Sequence, residues 1–262
     1  RIAMHTIDIS ALCVDAGYQL GANIFGILRT GIINFIQYWC GNRLGKGLIR
    51  TAGTNFQFTE ELKQKLTDVL DRYEKQFWEM AHLTYRLPSV QNRFDHVGIL
   101  SKEQAQLIGA VGLSARAAGL ERDIRESHTF AGFNYYPIES LTLEKGDVFS
   151  RFLLRRKEIR NSIEWIRHAL KNFQFTSSVT DKPDNNLIFK PDCFAISLTE
   201  GWRGEICHCA VTDADGELYH YKVKDPSMHN WKALELSLRN VEISDFPINN
   251  KSYNLSYCGH DL

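Results

Sequence analysis

The sequence has no long hydrophobic run and no excess of either charge. Its most apolar stretch, residues 21–40, is interrupted by Arg29, Asn34 and Gln37, so it falls short of the roughly 18 to 20 apolar residues that span a bilayer. The 31 basic residues equal the 31 acidic ones, so no overall field attracts nucleic acid or anionic lipid. These absences predict a soluble or peripheral protein that binds partners through local surfaces and binds no nucleic acid.

Paired cysteines are also missing. The six cysteines lack the spacing of a zinc site or a disulfide framework: Cys13, Cys40, Cys193, Cys207, Cys209 and Cys258. We therefore expect a reducing compartment, mostly buried thiols, and neither a metal nor an iron–sulfur cluster on this chain. The chain begins with Arg1 and shows no signal peptide, which indicates a fragment or a trimmed chain.

Apolar residues at helical intervals dominate the first two thirds of the chain. They predict the following helices, the last being the longest: residues 1–25, 31–44 and 59–85, a short helix from the capping box at Ser101, and residues 146–173. The stretch 109–125, rich in glycine and alanine, predicts a tightly packed loop.

The last third predicts a small sheet. Alternating residues indicate strands at 193–198, 205–211 and 218–224, the last two joined by a hairpin turn with the sequence Asp-Ala-Asp-Gly. Cys207 and Cys209 share one face of the middle strand and could chelate a metal together, but core residues in alternation are the interpretation that the pattern favours.

Together these elements predict an α+β fold, mainly a helical bundle with a small antiparallel sheet near the C-terminus. Residues 1–175 form the predicted helical core. Residues 187–262 form a β-hairpin and helix region with a buried C-terminal tail in the same domain, and the polar loop at 176–186 is the candidate boundary.

His5 and Asp8 are the most notable polar pair of the first helix. They are three residues apart and therefore neighbours on one helical face. An exposed pair of this kind contributes about 0.2–0.5 kcal/mol. Alternatively the two form a proton relay, in which Asp8 holds the imidazole and tunes its pKa towards neutral pH. The pattern leaves both interpretations open.

The tail, residues 246–262, is apolar enough to enter the core. From residue 247 it resembles the C-terminal motif of the large subunit of membrane-bound, energy-converting [NiFe] hydrogenases, where Asp-Pro-Cys-x-x-Cys supplies two nickel thiolates. Ser256 stands at the first cysteine position and Gly259 at the second, so both soft ligands are lost. The tail resembles equally the 49 kDa quinone-reducing subunit of complex I (NADH-quinone oxidoreductase), which shares that fold and lacks the metal.

Other blocks carry the same resemblance. His5 and Asp8 match a His-x-x-Asp-x-x-Ala-Leu helix that is implicated in protonation linked to quinone reduction in the 49 kDa subunit. Arg203 matches an arginine that lies over the iron's diatomic ligands in hydrogenases, which implies a cavity-lining cation. Roles in bracing an interface or cavity are implied for five further residues: Arg43, Arg50, Arg116, Asp123 and Arg125.

The resemblance implies the large-subunit homologue of a complex I-like or hydrogenase-related membrane oxidoreductase. Such a subunit, with His5, Asp8 and Arg203 as catalytic residues, would pass electrons from a neighbouring iron–sulfur subunit to a quinone or similar acceptor. Two alternatives stay open, a non-catalytic scaffold or coupling subunit and a [NiFe] hydrogenase whose ligands are misaligned.

We expect no cofactor on this chain, quinone as the acceptor and an iron–sulfur cluster in a partner. The implied partners are an iron–sulfur small subunit, a complex I-like peripheral subunit and an integral membrane subunit, which would hold the chain peripherally at the cytoplasmic face of the membrane.

Overall fold

The computed structural model describes residues 1–51, 53–172 and 188–260. The helices of this part are α1 (Ile2–Asp15), α2 (Gln19–Cys40), α3 (Glu60–Arg86), α4 (Pro88–Phe94), α5 (Lys102–Leu107), α6 (Gly112–Ala117), α7 (Ile124–Ser127), α8 (Val148–Asn172), α9 (Pro226–Ser237) and α10 (Phe246–Tyr253). The strands are β1 (Ile49–Arg50), β2 (Gly53–Thr54), β3 (Phe194–Glu200), β4 (Glu205–Thr212) and β5 (Leu218–Lys224).

The main core lies between α1, α2, α3 and α8. Phe25, Phe77 and Phe152 are fully buried in it, and the rings of Phe25 and Phe77 meet edge to face with their centroids 5.7 Å apart. Burial of one such side chain stabilises the fold by about 1.5–3 kcal/mol. This packing places α1 against α8, and those two helices carry the candidate site.

The prediction of a single helix over residues 1–25 is wrong. Gly17 adopts a left-handed backbone conformation with φ of +73°, which ends α1 and lets α2 fold back against it. Apolar residues recur across this break, so periodicity does not reveal it. The predicted second helix, residues 31–44, is likewise wrong in its bounds, because α2 begins at Gln19 and ends where Gly41 becomes left-handed.

Local capping signals correctly predicted where α3 and α5 begin. The hydroxyl of Thr59 accepts a hydrogen bond from the Leu62 amide and begins α3, and Ser101 forms the expected capping box with Gln104. The prediction that α8 is the longest helix is wrong for the described residues, since α3 has 27 residues and the described part of α8 has 25. Its predicted last residue, Phe173, lies outside the described part.

The predicted loop at 109–125 is wrong in part, because it contains α6 and the start of α7. Its glycines do permit a close approach: a Cβ on Gly112 would lie 2.2 Å from the Cα of Gly204. This contact seats the turn between β3 and β4 on the start of α6. The turn carries Arg203, so the contact positions one of the predicted site residues.

The sheet has the strand order β3-β4-β5, antiparallel throughout, with Glu200 opposite Glu205. Its three strands confirm the prediction within two residues at each end, and so does the predicted hairpin turn between β4 and β5. Cys207 and Cys209 share a face with their sulfurs 3.7 Å apart, but both are half-buried, so the expectation that they are core residues is wrong. The candidate boundary at 176–186 lies outside the described residues.

The first part of the tail enters the core, whereas Tyr257 and Cys258 are exposed. In α10 and just beyond it, Ile248, Asn249, Tyr253 and Leu255 are buried against α8 and α9. The fold is therefore α+β, a helical bundle with a small antiparallel sheet, as expected from the sequence. Within residues 1–51, 53–172 and 188–260, no helix combines the length and the apolar character needed to cross a membrane.

Candidate functional site

The candidate site is a network of buried ion pairs centred on the Glu158 carboxylate of α8. Nε2 of His5 lies 2.9 Å and Nη1 of Arg1 lies 2.8 Å from its Oε2 atom, and Nη2 of Arg116 donates to Oε1. Burial alone would raise the pKa of Glu158, but the surrounding arginines and the imidazole outweigh it and hold the pKa well below its ordinary value. Glu158 is therefore ionised at neutral pH.

Arg116 of α6 links Glu158 to two more carboxylates. Its Nη1 atom lies 3.0 Å from Oε1 of Glu200 and 3.3 Å from Oδ2 of Asp123. Burial would lower the pKa of Arg116, but the three carboxylates outweigh it and raise the pKa. Arg125 donates twice to Asp123, at 2.9 and 2.5 Å. The structure thus brings together three of the five residues expected to brace an interface or cavity.

His5 is fully buried and is neutral at physiological pH. Burial lowers its pKa from 6.5 to about 4, although the neighbouring Glu158 carboxylate acts to raise it. Because an ionised carboxylate only accepts hydrogen bonds, Nε2 of His5 carries the proton and donates to Glu158. Nδ1 is then an unprotonated acceptor, and it has no hydrogen-bond partner among the described residues.

Asp8 does not hold His5, so the predicted pairing is wrong. Its Oδ2 atom accepts from Nε of Arg155 at 3.0 Å, and its Oδ1 atom accepts from Nδ2 of Asn254 at 2.6 Å. The cause is the docking of α1 against α8. His5 and Asp8 are three residues apart, as are Arg155 and Glu158 on the facing helix, so each side chain pairs across the interface in an antiparallel sense. The expected tuning of the imidazole towards neutral pH is wrong as well.

Arg203 reaches the same region from the turn after β3. Its Nε donates to the backbone carbonyl of Asn254, and its guanidinium lies over the Trp202 ring at 4.2 Å. Burial lowers the pKa of this half-buried arginine, partly offset by Asp8 and Asp225, and the side chain stays charged. Asp8 and Arg203 therefore meet through Asn254, next to the network that holds His5.

The two positions that match nickel ligands do not fit a nickel centre. The hydroxyl of Ser256 accepts from the Gly259 amide at 3.0 Å, and a Cβ on Gly259 would lie 2.7 Å from Cγ of Asp225. Asp225 is fixed there because it caps α9 through the Ser227 amide. Cys258 is exposed, and the described residues hold no cluster of three or more His, Cys, Asp or Glu suited to a metal ion. Neither position supplies the thiolate that soft coordination of nickel requires.

Arg43 and Arg50, the other two residues expected to brace an interface or cavity, lie outside the network. Arg43 is exposed after α2, and Arg50 lies in the small β1–β2 hairpin with Nη1 donating to the carbonyl of Thr51 at 3.0 Å. If Arg43 and Arg50 brace an interface, they would do so by contact with a partner chain.

Sequence reasoning missed several members of the site: Glu158, Glu200, Arg155 and Asn254. All four stand in blocks that carry the family resemblance, but their partners lie far away in sequence. One signal was available. The His-x-x-Asp spacing of α1 and the Arg-x-x-Glu spacing of α8 are equal and match in charge when the helices are antiparallel.

Comparison with known proteins finds one matching family and several relatives. The family model of the 49 kDa subunit of respiratory-chain NADH dehydrogenase matches residues 23–194. Hydrogenase-4 component G of Escherichia coli is 24% identical over 95% of this chain and 41% of its own length. NADH-quinone oxidoreductase subunit 4 of Thermus thermophilus is 26% identical over 94% of this chain and 66% of its own.

A third relative, the membrane-bound hydrogenase subunit alpha of Pyrococcus furiosus, is 24% identical over 95% of this chain and 61% of its own length. The chain thus spans about two fifths of the length of the first of these relatives. The relatives are subunits of oxidoreductases, and the family model covers well over half of the chain. The chain therefore belongs to the family of the 49 kDa subunit of respiratory-chain NADH dehydrogenase.

Proposed function

We propose that this chain is the large subunit of a membrane-associated oxidoreductase complex and passes electrons from a neighbouring iron–sulfur subunit to a quinone or similar acceptor. Family membership and the names of the relatives support the class of complex. The chain supplies no cluster of its own in this proposal. The chain itself would bind the acceptor, exclude water from it and transfer protons to it.

The observation that carries the proposal is that the Nδ1 atom of His5 has no hydrogen-bond partner among the described residues. A buried acceptor without a partner is unfavourable, by roughly 1–3 kcal/mol, unless something bonds to it. Here the rest of the ring is held by Glu158, so Nδ1 keeps a fixed position with a free lone pair. A hydroxyl group or a water molecule at that point would satisfy it. Such an arrangement is suited to proton transfer at the imidazole.

Reduction of a quinone by two electrons requires two protons for its oxygens. Negative charge that develops near His5 would raise the pKa of the imidazole from about 4, so the ring would take up a proton at Nδ1 and pass it on. Arg203 would stabilise the same developing charge. Asp8 acts indirectly, as the anion that holds Arg155 and the Asn254 side chain in place.

The scaffold alternative also has an observation in its favour. Glu158, Asp123 and Asp8 each hold an arginine already, and Arg203 is bonded to the backbone. A network satisfied to this degree would preserve the fold whether or not chemistry is retained.

The test is acceptor reduction by the complex assembled with its own partners, using a short-chain quinone analogue. His5→Gln keeps a donor towards Glu158 but removes the imidazole, so we expect turnover to fall about 10-fold or more with assembly intact. Arg203→Met should lower it as well, and Arg203→Lys, which keeps the charge, should lower it less. The matched control is His82→Gln, an exposed position on α3.

Unchanged turnover in both His5→Gln and Arg203→Met would leave these residues structural and favour the scaffold. Loss of assembly in His5→Gln would be separated from loss of chemistry by measuring subunit content in the same preparations.

The proposed partners are an iron–sulfur small subunit, a complex I-like peripheral subunit and an integral membrane subunit, with the chain peripheral at the cytoplasmic face of the membrane. Large apolar side chains exposed on the chain, such as Ile27 at 70% and Tyr219 at 77%, support extensive subunit contacts. Affinity purification of the tagged chain from its native cells should recover these subunits. A well-behaved monomer without them would contradict this part of the proposal.

A further inference from the structure

A basic cleft of about 320 Å³ opens between α3 and α8, away from the ion network. Its lining combines cations with apolar side chains: Arg156, Lys157, Arg160, Trp78, Leu141 and Leu153. Asn161 adds an amide at its edge. The volume is at the lower end of the range of small-molecule pockets, roughly 300–1,000 Å³.

The positive charge of this cleft is not neutralised by the described residues. Among them, no carboxylate lies within ion-pair distance of Arg156, Lys157 or Arg160. Glu74, which accepts a hydrogen bond from Nε1 of Trp78, already holds Arg167 at 2.7 Å. Arg156 and Arg160 are four residues apart on one helix, where like charges repel.

Arg156 shows the effect of this crowding. Its Nε atom is buried without a hydrogen-bond partner in the described part of the chain. Burial lowers its pKa, and Arg160 lowers it further. An anion bound between the two guanidinium groups would relieve both the repulsion and the unpaired donor.

Aromatic stacking holds the two arginines in place. The guanidinium carbon of Arg160 lies 4.5 Å from the centre of the Trp78 ring, and that of Arg156 lies 5.3 Å from the same ring and 5.5 Å from Tyr85. Side chains restrained in this way lose less conformational freedom when a ligand binds. Planar guanidinium groups match the several oxygens of a phosphate, which they bind in bidentate fashion.

We propose that this basic cleft binds a phosphate-bearing anion, with the phosphate between Arg156 and Arg160 and an apolar portion of the ligand against Leu141 and Leu153. The ligand is a free phosphorylated metabolite or the headgroup of an anionic phospholipid. The small volume favours a compact anion over an extended acidic peptide. This site is independent of the proposed electron transfer.

The experiment measures binding to the full chain, purified with the subunits that accompany it, at low salt so that charge screening is small. One probe is inorganic pyrophosphate, and the other is a vesicle of phosphatidylglycerol in phosphatidylcholine compared with phosphatidylcholine alone. Arg156→Gln/Arg160→Gln removes the two central cations. Lys75→Gln, an exposed cation on α3 outside the cleft, is the matched control. Circular dichroism checks that every variant is folded.

We expect wild type and Lys75→Gln to bind alike and the double variant to bind at least 10-fold more weakly. If the double variant loses binding of pyrophosphate alone, the ligand is a soluble phosphate. If it also loses binding of the anionic vesicles, the ligand is a lipid headgroup. The proposal is overturned if neither probe binds wild type, if the double variant binds as well as wild type, or if polyglutamate binds where both phosphate probes fail.

Discussion

The neutral, buried state of His5 predicts a specific loss of stability in mild acid. In the unfolded chain the imidazole has its ordinary pKa of about 6.5, whereas in the folded chain burial lowers the pKa to about 4. Between these two values the unfolded state binds a proton that the folded state does not. Stability therefore falls as the pH drops from about 6.5 towards 4, and the contribution of His5 levels off below that.

The magnitude follows from the two pKa values. Going from about pH 7.5 to about pH 4.5, this one group should remove roughly 2.5 kcal/mol of unfolding free energy. That is a large share of the roughly 5–15 kcal/mol that stabilises a typical domain. Glu158 adds to this loss mainly below about pH 4.5, where its carboxyl takes up a proton in the unfolded chain but stays ionised in the folded chain, whose pKa is held well below 4.5.

Urea unfolding followed by tryptophan fluorescence, at low protein concentration to limit self-association, measures the effect. Wild type and His5→Gln are compared at both pH values, and His82→Gln serves as the exposed control. We expect the free energy of unfolding of His5→Gln to fall by about 2.5 kcal/mol less than that of wild type on acidification, whatever its value at neutral pH. Burial also lowers the pKa of His229, but this residue is present in all three proteins, so its contribution to the pH dependence cancels in the comparison. Equal acid sensitivity in wild type and His5→Gln would refute the assignment of a buried neutral imidazole.

Three further predictions concern the site and the fold. Asp8→Asn should destabilise the chain by about 3–5 kcal/mol in urea unfolding, because it leaves the charge of Arg155 buried and unpaired. The double variant Asp8→Asn/Arg155→Gln should recover part of this stability, whereas a loss equal to the sum of the two single-variant losses would refute the pairing. Thr59→Ala should cost about 1 kcal/mol through loss of the cap of α3, with Thr59→Ser as the control that keeps it. Gly259→Cys should bind no nickel by metal analysis, and a stable, nickel-loaded variant would contradict this. Its melting temperature should fall as much as that of Gly259→Ser, because both variants carry the Cβ atom that clashes with Asp225.

Elements that depend on neighbouring residues were predictable. The hydroxyl of Thr59, the capping box at Ser101 and the Asp-Ala-Asp-Gly turn before β5 each act within a few residues, and each appears in the structure as expected. The break at Gly17 was not predictable from periodicity, because the energy that favours it comes from α2 packing back onto α1. A glycine alone permits the turn without requiring it.

In the candidate site, too, the sequence predicted local features and missed contacts between distant residues. Motif spacing correctly singled out His5 and Asp8, but it could not tell which groups they bond. The partner of His5 is 153 residues away, so the pairing depends on how α1 and α8 dock. The loss of the cysteine at position 259 was visible in the sequence, whereas the carboxylate of Asp225 that fills the space was not.

The two-sided bonding of Asn254 has a consequence for how the chain is made. Its side chain holds Asp8 and its carbonyl receives Arg203, although Asp8 and Asn254 are 246 residues apart. At synthesis rates of roughly 5–20 residues per second, Asn254 is synthesised on the order of 10–50 seconds after Asp8. During that time α1 presents an incompletely neutralised, otherwise apolar surface. Closure of the core around Asp8 therefore depends on α10, and molecules released before α10 is made are expected to be those that chaperones retain.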